Sequence, residues 1–156
     1  MTDNERALEH AWKYFQLHAN QRVTTFNYFV VFSGLLVTGL GASIQDLPRY
    51  ALVSVTLGLL LIILSYLFFR LDQRVSFLIK NSEDFIRKLE PPSASLFGDE
   101  VELTAVAKKN GYWTYGQVFR TMFFVMGCIG FSGAAYSGVN WAWSDWCASV
   151  VTSEDL

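Results

Sequence analysis

YALVSVTLGLLLIILSYLFF, residues Tyr50 to Phe69, runs for twenty positions without a charged side chain, and Arg70 ends it. Wound as an α-helix at about 1.5 Å rise per residue, it has the length needed to cross the roughly 30 Å hydrocarbon core of a bilayer. Two further runs match it, Phe26 to Ile44 and Val118 to Val139. The chain therefore reads as an all-α membrane protein with three transmembrane helices, at 26–44, 50–69 and 118–139.

About sixty of the 156 residues lie in these runs, which leaves too few for a large soluble enzyme domain. Aromatic residues make up 16 % of the chain and the mean hydropathy is +0.27, both suited to a small polytopic helical protein. The net charge of −2 favours neither an acidic nor a basic partner. The segment before the first run carries Asp3, Glu5 and Glu9, unlike the short basic start of a secretory signal. Neither Thr2 after Met1 nor the closing Ser153-Glu154-Asp155-Leu156 forms a lipidation motif. Cys128 falls mid-span and Cys147 in the tail, so a bridge between them is not expected.

The basic residues orient the spans. Arg6, Lys13 and Arg22 precede the first span, and Arg49 alone lies between the first two. Arg70, Arg74, Lys80, Arg87, Lys88, Lys108 and Lys109 fill the segment before the third, with Arg120 just inside it. The tail after Val139 has only Asp145, Glu154 and Asp155 as charges. Because basic loops stay in the cytoplasm, the N-terminus and residues 70–117 are expected on the cytoplasmic side of the membrane, and the 140–156 tail outside. Tyr112, Trp113 and Tyr115 before the third span, and Tyr136, Trp141, Trp143 and Trp146 at its far end, read as interfacial belts.

Both first spans are expected to continue as cytoplasmic helices. Leu8, Trp12, Phe15, Ala19, Val23 and Phe26 recur at helical spacing, as do Leu71, Val75, Leu78, Ile79, Phe85, Ile86 and Leu89. The pairs Glu83–Arg87 and Asp84–Lys88 add i,i+4 support, and Pro91-Pro92 ends the second helix. Two such stripes predict an antiparallel helical stalk. A short helix opening at Asp99, with Glu102 in its first turn, Lys108 and Lys109 in its last and Gly111 just beyond, leads to the third span.

The most polar interfacial set is His18, Gln21 and Arg22 on the first helix, facing Asp72 and Arg74 on the second. Its functional reading is a cytoplasmic vestibule or ligand-sensing ring, with arginine able to hold a phosphate or carboxylate. Its structural reading is interfacial anchoring with an Arg22–Asp72 ion pair. Gly130, Ala134 and Gly138 form a small-residue stripe on the third span, suited to close helix contact within or between subunits. Gly34, Thr38 and Ala42 form a weaker one on the first.

No metal site is expected, since His10 and His18 stand some 80° apart on a helix and no ligand set has the right spacing. No carboxylate, lysine or histidine lies inside a span, which argues against a proton-coupled transporter or intramembrane hydrolase. There is no phosphate loop, nucleophile elbow or Cys/His pair, so neither an enzyme nor a cofactor is expected, nor direct nucleic-acid binding.

EHAWKYFQLHANQRVTTFNYFVVFSGLL, residues 9–36, and LFFRLDQRVSFLIKNSEDFIRKLE, residues 67–90, resemble small bacterial membrane effectors that accompany antiviral-defence and nucleotide-signalling genes, the SLATT group being the nearest. The third span is an addition to that pattern. The resemblance implies an oligomeric effector that breaches the inner membrane when an infection sensor fires. The expected function is thus an oligomeric, membrane-perturbing or pore-forming effector, its stalk receiving the signal from a cytoplasmic partner or a small ligand. The alternative is a non-catalytic structural or regulatory subunit of a larger membrane complex. A constitutive channel is disfavoured by the apolar spans.

Overall fold

The structure, a computed structural model, describes residues 3–89, 99, 103–106 and 109–154. Three long helices account for nearly all of it: α1 Asp3–Ile44, α2 Leu47–Leu89 and α3 Tyr115–Glu154. All three are long and apolar enough to cross a membrane. No proline interrupts α1 between Asp3 and Ile44, so amphipathic segment and span form one rod. Gln45 and Asp46 make the turn to α2, where the Asp46 carbonyl accepts from the amides of Arg49 and Tyr50 at 3.2 and 3.1 Å. Pro48 stands in the first turn of α2, where its missing N–H costs nothing. The helix kinks just beyond, at Tyr50 (φ −114°, ψ 19°).

A reciprocal cap starts α3. The Thr114 amide donates to Gln117 Oε1 at 2.8 Å, and the Gln117 amide donates back to the Thr114 carbonyl at 2.9 Å and to its hydroxyl at 3.4 Å. This is the Thr-x-x-Gln form of a capping box. The helix begins close to the expected Val118 but continues past Val139 to Glu154, so the stretch expected as a tail is helical. Before it, residues 103–106 are helical, the Asn110 amide donates to the Val106 carbonyl at 3.0 Å, and Gly111 takes φ +77°, as a residue just past a helix end should. Pro91 and Pro92, expected to end the second helix, and Glu102 and Lys108, on which part of the short-helix expectation rests, lie outside the described residues.

The buried positions of α2 step by three and four: Ala51, Ser54, Gly58, Leu61, Ser65, Asp72, Val75, Ile79, Ser82 and Ile86, with half-buried Phe68 filling the one gap. This is a seven-residue repeat, the spacing of a left-handed helix seam. It corrects the expected stripe. Leu71 and Phe85 are exposed, and Asp72, Ser76 and Ser82 take the inner line instead. On α1, Trp12 and Val23 are likewise exposed while Ala11 is buried. Small polar residues win the seam because they let two backbones come close.

The chain divides into two compact units. The first comprises Met1–Asn27 and Phe69–Thr121, the second Tyr28–Phe68 and Met122–Leu156. In the first, Val75, Ile79 and Ile86 of α2 are buried together with Ala11 of α1. In the second, Phe29 of α1 is fully buried, edge-on to Phe123 of α3 at 4.6 Å and tilted against Phe68 of α2 at 5.4 Å. Ser54 donates to Ser43 at 2.8 Å, and Ser43 to the Leu40 carbonyl at 3.0 Å, whereas the buried hydroxyls of Ser65 and Ser137 have no hydrogen-bond partner among the described residues.

Candidate functional site

Within the first unit the three helices meet at one buried carboxylate. Arg22 Nε donates to Asp72 Oδ1 at 2.7 Å, while Arg120 Nε, from α3, stands 3.8 Å from Asp72 Oδ2. The Asp72 side chain is 4 % exposed, that of Arg22 16 % and that of Arg120 50 %. Arg22 is further fixed by the Phe119 ring, whose centroid lies 5.2 Å from its Cζ, and Phe119 stacks on Phe26 at 4.0 Å. Gly116 leaves room for the guanidinium, since a Cβ there would lie 3.3 Å from Arg22 Nη2. Two buried polar atoms, Arg22 Nη2 and Asp72 Oδ2, have no hydrogen-bond partner.

The pair is asymmetric. One arginine is sequestered and makes a short charge-assisted bond, and the other is half in solvent at the edge of bonding distance. Chemically the cluster is a tether with one firm and one releasable arm. Nothing in it supplies a nucleophile or a metal site, and among the described residues no group of three metal-binding side chains occurs.

The sequence placed Arg22 opposite Asp72, and the structure joins them. His18 and Gln21 are held apart from that pair: His18 Nδ1 lies 3.3 Å from Gln21 Oε1, and its ring meets Tyr14 edge-on at 4.3 Å. Arg74 is exposed on α2 and makes no ion pair among the described residues. Arg120, Phe119 and Gly116 were missed as site residues. Arg120 was read only as a charge near a span, although Gly116, Phe119 and Arg120 fall on adjacent turns of one helix.

In the second unit the small-residue stripe divides. An added Cβ on Gly58 would lie 2.7 Å from the Gly130 carbonyl and 2.8 Å from Ala134 Cβ, so Gly130 and Ala134 make a contact inside the subunit. An added Cβ on Gly133 would strike Leu40 of α1 at 2.6 Å. Gly138, and Gly34 and Gly41 on α1, have open space around them. An apolar groove of about 580 Å³ opens between α1 and α3, lined by Val37, Gly41, Cys128, Ser132 and Tyr136 among others.

Residues 5–139 match the octameric membrane protein family. The chain belongs to that family. It is similar to CD-NTase-associated protein 19 of Escherichia coli, with 40 % identity over 135 residues that cover 80 % of this chain and 86 % of the relative. No solved structure matches the chain. Family membership makes this a membrane protein of an oligomeric kind.

Proposed function

We propose that eight copies of this chain encircle an axis through the bacterial plasma membrane and open it to ions when a cytoplasmic signal arrives. The observation that carries this reading is how little of each span the chain buries by itself. Only 17 %, 22 % and 17 % of the three most apolar windows is covered, in a family named for octamers. Surface of that extent is available to neighbouring copies and to lipid. In this reading the N-terminus and residues 70–117 lie on the cytoplasmic side and the tail outside, an arrangement that the distribution of basic residues supports.

The tether supports a coupling role. Arg22, Asp72 and Arg120 link α1, α2 and α3, so a displacement of either amphipathic segment pulls on the start of the third span. The protein acts as a non-catalytic effector. The Escherichia coli relative is named for association with a CD-NTase. That name supports a partner of the same kind here, within the antiviral-defence setting that the sequence resemblance implies.

The test is a potential-sensitive dye in cells expressing the full chain with its neighbouring genes, before and after phage challenge. Depolarisation on challenge is expected, reduced in an Arg22→Ala variant. Membrane potential held steady in every challenged culture overturns the reading. A tail reporter accessible from outside intact spheroplasts checks the orientation.

A further inference from the structure

We propose that a notch on one long side of the α1–α2 pair receives Trp12 of a second copy of this chain. The inference rests on the ring reading above and names the contact that would close it. A chain held in one orientation across a bilayer cannot be related to its neighbour by a twofold axis in the membrane plane. Eight copies then close only about an axis along the bilayer normal, and each must present two different faces. The first unit carries two such faces.

Trp12 and Tyr14 are two residues apart on α1, hence about 200° apart around it at 3.6 residues per turn. Tyr14 lines a cavity of about 350 Å³ together with His10 on α1 and Asn81, Ser82, Asp84, Phe85 and Lys88 on α2. Trp12 lies on the opposite side, stacked on Phe15 of its own helix at 5.6 Å yet 47 % exposed, with Glu5 seven residues earlier on the same face. Phe85, at the lip of the notch, is 49 % exposed. This stretch of α2 also carries Lys80, Glu83, Asp84, Arg87 and Lys88, so lipid does not cover these rings. Exposed aromatic rings on two opposed sides of one helix pair supply the two different faces that a closed ring of like-oriented copies needs.

Size, chemistry and height agree. A cavity near 350 Å³ is at the small end for a binding pocket and suits one large side chain. An indole ring would lie against Tyr14 and Phe85, in a cavity that Asn81, Asp84 and Lys88 edge with polar groups. The first turn of α1 is acidic, with Asp3 and Glu5, and the last turn of α2 is basic, with Arg87 and Lys88. Copies in a ring about the bilayer normal stand at equal height, so the facing residues must as well. Arg22 bonds Asp72, and Ala11 lines the notch beside Ser82, which puts Trp12 level with the notch and Glu5 level with the end of α2. The acidic turn of one copy thus meets the basic turn of the next.

The experiment uses the full chain in native membranes with Cys128→Ser and Cys147→Ser. Two differently tagged copies are co-expressed, one with Trp12→Cys and one with Phe85→Cys. Mild oxidation is expected to give a product carrying both tags, and neither variant alone should give a disulfide dimer. Trp12→Ala is expected to weaken the interface constant about thirty-fold, the loss typical of a buried aromatic anchor, while Trp12→Phe keeps most of it. Far-UV circular dichroism confirms that both variants fold. Octamers that persist without the mixed product, or a Trp12→Cys dimer with itself, overturn the contact and leave the ring standing. A full chain that stays monomeric under every condition overturns both.

Discussion

Replacing Arg22 by alanine removes the firm arm of the tether and leaves the Asp72 carboxylate, 4 % exposed, with only Arg120 nearby. Breaking a buried ion pair by deleting one partner costs about 3–5 kcal/mol, because the surviving charge stays out of water. Two features place this site at the lower end. Arg22 is 16 % exposed, and Arg120 Nε, 3.8 Å from Asp72 Oδ2, can close in when its competitor is gone. The expected loss is therefore about 3 kcal/mol. Arg120→Ala removes a half-exposed group that makes no close bond, and its loss should stay below about 1 kcal/mol. Joint replacement by Arg22→Met and Asp72→Leu should recover most of the deficit, since no unpaired charge then remains. The assay is unfolding of the purified chain by titrating a denaturing detergent into mild micelles, followed by circular dichroism. The reasoning fails if Arg120→Ala costs as much as Arg22→Ala, or if the double variant is no better than the single.

Gly58→Ala should destabilise the chain by about 1–3 kcal/mol in the same titration, because its methyl group would meet the Gly130 carbonyl at 2.7 Å and overpacking has that typical cost. Gly138→Ala, in open space, should move the midpoint hardly at all. Thr114→Ala removes a capping hydroxyl and should cost about 1 kcal/mol, with amide exchange at Gln117 accelerated. Glu9 accepts from Lys13 Nζ at 2.7 Å, which holds its carboxyl below the ordinary 4.5. Its contribution is therefore present above that ordinary value and lost as pH falls through the lowered one. An NMR titration of the Glu9 side chain should show a depressed midpoint that returns to normal in Lys13→Met.

The three spans were legible because uninterrupted apolar length has almost no other use in a chain this small. The Arg22–Asp72 pair was legible because opposite charges at matching depth on antiparallel helices have few other partners. The inner face of α2 was legible in part, since Val75, Ile79 and Ile86 are buried as their spacing implies. Hydrophobicity pointed to Leu71 and Phe85, whereas close helix approach chose Asp72, Ser76 and Ser82. Burial at a seam between helices follows side-chain size as much as polarity. Gly58 was overlooked because a glycine inside a long apolar run looks like tolerated filler until the opposing Gly130 is known. Arg120 was passed over because its acceptor lies 48 positions away, beyond any local pattern.

The meeting of Gly58 with Gly130 and Ala134 has a mechanical outcome. Main chain rests on main chain there, with no flexible cushion between α2 and α3, so the two helices cannot draw closer or tilt together at that point without collision. Leu40 of α1, seated against Gly133, is a branched side chain with other rotamers to visit. Whatever movement this protein makes in the bilayer should hinge α1 against a fixed two-helix plate, and a wedge driven between α2 and α3 would jam it.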